Sequence, residues 1–140
     1  MKYGAAKRAV APRRYGRAMS VGKLHSIVLD CPDPRALAAF YAELTGLSVV
    51  DADDDWVTLR AGDAVRLAFQ RAPDNPPPTW PEPGVPQQFH LDVEVDDVEA
   101  AEVRTLALGA RRLPGGGGTT SGFRVYADPA GHPFCLVWGQ

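Results

Sequence analysis

Two histidines 65 residues apart are the first side chains in this sequence with a chemistry to offer. His25 stands in Leu-His-Ser-Ile-Val-Leu-Asp and His90 in Phe-His-Leu-Asp-Val-Glu-Val-Asp, each at the head of an apolar run. Strand-borne imidazoles can hold a divalent ion or orient a ligand by hydrogen bonds. Cys135 adds a thiol, a good zinc donor once ionised. Arg66 carries a guanidinium able to clamp a carboxylate or phosphate bidentately, and Gln70 an amide on the same run. Trp56 and Trp80 offer surfaces on which a planar ligand can stack. Three groups draw a plainer reading. His132 lies in the turn Asp-Pro-Ala-Gly-His-Pro, where water is the expected partner, and is given no role. Cys31 reads as a small buried filler, and Cys135 as core before nucleophile.

The elements that must position these residues occur twice. Residues 23–30 alternate and are partly β-branched, which predicts a strand. Asp33-Pro34 supplies an N-cap followed by proline at the first helical position. Leu37, Phe40, Tyr41 and Leu44 then fall at i, i+3, i+4, i+7, one helical stripe, and Gly46 ends it. Strand signals follow at 48–50, 56–60 and 65–70. Residues 73–86 contain seven prolines, which cannot donate to a sheet ladder, and read as a linker. The order then recurs. A strand is predicted over 88–94 and a helix capped by Asp96, with Glu99 completing a capping box. Its apolar stripe is Ala100, Val103, Leu106 and Ala107, and Gly109 stops it. Further strands are predicted at 110–113, 123–127 and 133–138. The intervening segment 114–122 holds five glycines and reads as a flexible connection, or a lid. The fold class predicted is α+β, two tandem βαβββ modules over 23–72 and 87–140.

Charge divides the chain. Residues 1–22 carry six basic side chains and no acid; residues 23–140 carry 9 basic and 17 acidic, a balance of −8. The basic segment is read as a dispensable extension, with Met19 as a natural start. An acidic domain behind it is a poor nucleic-acid binder. No apolar run is long enough to span a bilayer, so no membrane partner is expected. Three histidines and two cysteines make neither a Cys-rich zinc module nor a disulfide scaffold. Free thiols in a reducing cytoplasm are the expected state.

The runs Leu-His-Ser-Ile-Val-Leu-Asp-Cys-Pro-Asp-Pro and Ala-Phe-Tyr-Ala-Glu-Leu-Thr-Gly-Leu, with Phe-His-Leu-Asp-Val-Glu-Val-Asp-Asp and Asp-Pro-Ala-Gly-His-Pro-Phe-Cys-Leu, carry a resemblance. Together they resemble the vicinal oxygen chelate superfamily, the glyoxalase/bleomycin-resistance fold, and most closely its small bacterial glyoxalase-like members. The resemblance covers residues 23–140. It implies two sheets curled around a cavity with helices outside, and frequent homodimers. Its members include metal-dependent lyases, epimerases, extradiol dioxygenases, antibiotic-modifying enzymes and proteins that only sequester drugs.

Metal-using relatives take one ligand from the first and one from the last strand of each module, two imidazoles and two carboxylates in all. On this chain the resemblance maps those positions to His25, His90, Ala68 and Cys135, so both carboxylates are replaced. Strand period then assigns the faces. Phe134, Leu136, Trp138, Leu67, Phe69, Phe89, Leu91 and Val93 go under the helices. His90, Asp92, Glu94, Cys135, Arg66 and Gln70 face the cavity, and repeat symmetry adds His25 with Ile27 and Leu29. The expected function is binding of a small organic molecule in that cavity, contacted by His25, Arg66, Gln70, His90, Asp92 and Trp56. The alternative is a metal-dependent lyase, isomerase or dioxygenase, with zinc, iron, manganese or nickel on His25, His90 and Cys135.

Overall fold

Each half of the chain curls one helix onto one four-stranded sheet. The computed structural model describes residues 21–140, so the basic extension lies outside the described residues but for its last two positions. The first module comprises β1 (Ser26–Cys31), α1 (Pro34–Thr45), β2 (Ser48–Ala52), β3 (Trp56–Arg60) and β4 (Arg66–Arg71). The second comprises β5 (Leu91–Glu94), α2 (Val98–Ala107), β6 (Arg111–Gly118), β7 (Gly122–Ala127) and β8 (Pro133–Trp138). The sheets run β1-β4-β3-β2 and β5-β8-β7-β6, each with one parallel pair, β1–β4 and β5–β8. This is the α+β fold of two tandem βαβββ modules. No helix among the described residues is long and apolar enough to cross a membrane.

Helix α1 follows its sequence signals. Asp33 Oδ1 accepts from the Ala36 amide at 3.1 Å, and left-handed Gly46 donates its N–H to the Ala42 carbonyl. Leu37, Phe40 and Tyr41 are buried against Val57, Leu59, Leu67 and Phe69. Each such side chain contributes about 1.5–3 kcal/mol by leaving water. Phe40 and Tyr41 also meet Phe134 of β8, with ring centroids 5.8 and 6.1 Å apart, so one core serves both modules.

Helix α2 departs from its prediction at two points. Its N-cap is Asp97, whose Oδ1 accepts from the Ala100 amide at 3.1 Å, and not Asp96. Glu99 is then the second helical residue and makes no capping box. The predicted stripe is also rotated: Thr105 is buried, while Val103 is 70% exposed and Leu106 40%. The cause is ionic. Glu99 and Glu102 turn toward the sheet, where Arg124 pairs with both and Arg112 and the Tyr126 hydroxyl bind Glu102. The Tyr126 hydrogen bond and the arginines hold the Glu102 carboxyl below its usual range. Burial and that same carboxylate push Tyr126 up to about 12. Holding these carboxylates against the sheet rolls Val103 and Leu106 out.

Two further corrections bear on the site. The glycine-rich segment is strand rather than lid: β6 continues to Gly118, with Gly116, Gly117 and Gly118 paired to Arg124, Phe123 and Gly122. A Cβ at Gly116 would stand 2.3 Å from the Phe123 carbonyl, so only glycine lets these strands close. In β1, Ile27, Leu29 and Cys31 pack into the core under α1, which puts Ser26, Val28 and Asp30 on the other face. Ile27 and Leu29 therefore do not lie on the face where strand period placed them; of the two, only Leu29 touches the cleft described below. His25 precedes the strand and is exposed. Helix burial dictates the true register of the repeat. Ile27 corresponds to Leu91 and Asp33 to Asp97, an offset of 64, so Ser26 and not His25 takes the place of His90.

Candidate functional site

The concave face of the second sheet has an apolar floor with one polar corner. Val125, Cys135 and Val137 form the floor, with Leu113, Phe123 and Trp80 packed on it. Trp80 comes from the linker and donates its indole N–H to the Pro114 carbonyl at 2.7 Å. It covers this sheet and does not line the cleft. The corner is built by strand period and register. His90 and Asp92 lie two residues apart on β5 and the turn before it, and Asp92 is the register partner of Cys135. One donor atom from each of the three lies within 4.8 Å of the other two. His90 Nε2 is 3.2 Å from Asp92 Oδ1. Burial, then the Asp92 carboxylate that its S–H bonds, pushes the Cys135 thiol up to about 12. The thiol therefore keeps its proton at neutral pH and is no nucleophile.

Beside this corner opens a cleft of about 290 Å³. Small-ligand sites typically start near roughly 300 Å³, so its occupant is small. Val28 and Leu29 of β1 form one wall, and Pro76, Pro78, Val85 and Phe89 of the linker the other. The linker holds its shape through Thr79, whose hydroxyl accepts from the Val85 amide at 2.8 Å and donates to the Glu82 carbonyl at 2.6 Å. Gly131, at φ 96°, makes room for it: a Cβ there would stand 2.6 Å from Pro77 Cβ. His90 lies on the cleft, and so does Gln87, whose Oε1 is buried with no hydrogen-bond partner. The predicted strand start at residue 88 moves to Leu91, because residues 86–90 serve as cleft wall instead.

The back of the cleft is a buried polar latch between the modules. Asp128, 2% exposed, accepts from the Tyr41 hydroxyl at 2.7 Å, from His132 Nδ1 at 2.8 Å, and from the Ala130 and His132 amides. His132 Nε2 reaches the Asp30 carbonyl on β1 at 2.7 Å. Both ring partners are acceptors, so this setting favours the imidazolium, which carries hydrogen on both nitrogens. Burial opposes that charge, but the Asp128 carboxylate and the Asp30 carbonyl outweigh it and raise the His132 pKa. His132 is thus a fixed strut, contrary to the solvated turn residue expected. The sequence signal was there: Asp-Pro-Ala-Gly-His spaces Asp and His to meet across a turn.

The remaining candidates are dispersed. His25 Nδ1 stands 3.3 Å from Arg66 Nη1 in a separate hollow, and His25 is not in the His90–Asp92–Cys135 group. Trp56 donates its indole N–H to Thr58 at 2.9 Å and pairs in register with Gln70; neither residue lines the cleft. Gln87 and the linker wall were missed, since nothing in a proline-rich stretch reports which way it folds back.

The sequence profile of the glyoxalase-like domain matches residues 26–137. The chain belongs to this family. Among solved structures, a glyoxalase/bleomycin resistance protein/dioxygenase family enzyme from Burkholderia phytofirmans PsJN superposes with a TM-score of 0.67 at 18% identity, over 85% of this chain and 100% of that one. The fosfomycin resistance protein FosX from Listeria monocytogenes gives 0.65 at 15%, over 86% and 96%. The bleomycin-binding protein of Streptomyces verticillus, solved with copper(II)-bleomycin, gives 0.53 at 22%, over 86% and 100%. At these identities the likeness is one of fold. No curated protein matches the chain.

The metal that many members of this family use can be tested against the donors present. Edges of a tetrahedral zinc site are roughly 3–4 Å, so donors within 4.8 Å close onto one ion by small side-chain rotations. Nitrogen, oxygen and sulfur donors suit zinc, and binding would displace the Cys135 proton. The second module alone therefore fits a three-donor site. The four-ligand arrangement across both modules is not reproduced, because His25 lies elsewhere and Ala68 has no donor atom.

Proposed function

We propose that this glyoxalase-like protein binds a small, largely apolar organic molecule in the cleft between β1, β5 and the proline-rich linker. The buried, partnerless Gln87 Oε1 carries the reading. An orphaned carbonyl costs about 1–3 kcal/mol, which a ligand N–H or O–H relieves. His90 at the polar corner supplies the second polar contact, and the proline and valine walls take an apolar body. Asp92 acts through its contact with His90. A ligand-observed NMR screen of single-ring aromatic and heteroaromatic compounds tests it. Compounds with an N–H or O–H donor bind, and their donor-free analogues bind more weakly. Gln87→Met removes that difference, and His90→Ala weakens all binding. A screen in which the donor makes no difference defeats the reading.

A second reading, metal-dependent lyase, isomerase or dioxygenase chemistry, has one observation in its favour, the convergent His90, Asp92 and Cys135. A bound ion would polarise a ligand's oxygens as a Lewis acid. Isothermal titration with zinc, manganese, nickel and iron(II) decides it: stoichiometric uptake lost in His90→Ala and Cys135→Ala supports the reading, and no uptake removes it. We also infer a homodimer, supported by apolar residues left at the surface, Val49 and Val50 on β2 and Val103 and Leu106 on α2. Light scattering tests it. A cytoplasmic location is supported by the two buried cysteines, neither of which forms a disulfide. Deleting residues 1–22 leaves ligand binding unchanged if that extension is dispensable.

A further inference from the structure

We propose a second, separate site: a phosphate-binding hollow at the opposite end of β1, formed by Lys23, His25, Arg60 and Arg66. The hollow measures about 160 Å³ and lies between the entry to β1 and the turn joining β3 to β4. It shares no residue with the cleft proposed above and does not rest on that reading.

Charge sets it apart from the rest of the domain. Residues 23–140 balance at −8, yet three of their nine basic side chains gather here against one acid, Asp63. That acid is a weak partner: its carboxylate is fully exposed and 3.8 Å from Arg60 Nη2. Arg60 is held in place by its Nε, which donates to the Ala64 carbonyl at 3.1 Å. Arg66 is half-buried and no carboxylate among the described residues pairs with it. Instead its Nη1 donates to His25 Nδ1 at 3.3 Å. That bond fixes the tautomer, placing the ring hydrogen on Nε2. The hollow thus presents guanidinium N–H groups, an imidazole N–H and an ammonium, all donors. A carboxylate needs only one guanidinium fork. Several donors on separate side chains match the three oxygens of a phosphate group.

The experiment is a titration of the full chain with inorganic phosphate, followed by amide NMR shifts of residues 23–25 and 60–66. Binding is expected at millimolar concentrations or below. Arg66→Gln and His25→Gln, each checked for native circular dichroism, weaken it at least about tenfold. Arg66→Lys, which keeps the charge but loses the fork, falls between. Arg13→Gln with Arg14→Gln, in the basic extension, leaves the shifts of these residues unchanged. Phenyl phosphate is titrated in parallel. Tighter binding of the ester identifies a phosphorylated metabolite as occupant, and equal binding identifies free phosphate; both support the site. No shift at millimolar phosphate, or equal binding by Arg66→Gln, overturns it.

Discussion

Replacing Tyr41 by phenylalanine removes one oxygen from the back of the cleft, and its cost can be worked from the structure. Tyr41 is 1% exposed and its hydroxyl donates to the Asp128 carboxylate at 2.7 Å. A buried hydrogen bond to a charged acceptor contributes about 1.5–3 kcal/mol. Near the melting point of a domain this size, 1 kcal/mol moves Tm by about 4 °C, so Tyr41→Phe lowers it by about 6–12 °C. Asp128→Ala is more severe, because it strands the Tyr41 hydroxyl, the His132 ring and two amides at once. Breaking a buried ion pair from one side costs about 3–5 kcal/mol. His132→Gln adds a pH signature. The folded pKa of His132 is raised. Its contribution is therefore full below the unfolded value, about 6.5, and is lost as pH rises through the folded value. The gap in Tm between wild type and His132→Gln is widest in mild acid and narrows toward alkaline pH. Differential scanning calorimetry between about pH 5 and 9 measures all three variants. A Tyr41→Phe shift under about 2 °C, or wild-type and His132→Gln curves that stay parallel, refutes the latch.

Three other outcomes follow from the same structure. Cys135 is fully buried with its thiol near 12, so iodoacetamide at pH 8 leaves it unmodified in the native protein and alkylates it in urea; mass spectrometry reads the difference. Asp97→Ala costs about 1 kcal/mol in urea unfolding through loss of the α2 cap, whereas Asp96→Ala stays within about 0.5 kcal/mol. Gly131→Ala places a methyl against Pro77 and strains a backbone at φ 96°, so it shifts the linker. It weakens ligand binding at the cleft without adding or removing a contact to the ligand, as the NMR screen reads it.

The fold was legible because its signals are local and mutually consistent. Asp33-Pro34, the stripe from Leu37 to Tyr41 and the stop at Gly46 each fix a boundary that packing then confirms. The site was less legible for two physical reasons. The matching histidines suggested a repeat of 65, but an offset of one residue exchanges strand faces. The apolar demand of the helices, read at Ile27 and Leu91, fixes 64 instead and leaves Ser26 where His25 was expected. The second reason is electrostatic. Val103 and Leu106 have the spacing of a buried stripe, but the turn of Glu99 and Glu102 toward the sheet depends on Arg112 of β6 and Arg124 and Tyr126 of β7. Periodicity within one helix cannot see partners on a distant strand.

The two modules have diverged in which part of their fold meets the cleft. In the first, Thr58 and Ala68 are buried on the face that Trp56 shares, so the centre of that sheet is closed to a ligand. In the second, Trp80 closes the apolar floor and leaves only the corner at His90 open. What remains is a cleft whose back, Tyr41 and His132, is cross-braced by Asp128, and whose front is a linker rich in proline. Both walls have little conformational freedom left to lose, the back through its hydrogen bonds and the front through fixed φ angles. Ordering a binding site is a principal cost of holding a small ligand, and here most of that cost is met in folding. A cleft of this size, offering few contacts, depends on that rigidity for its affinity.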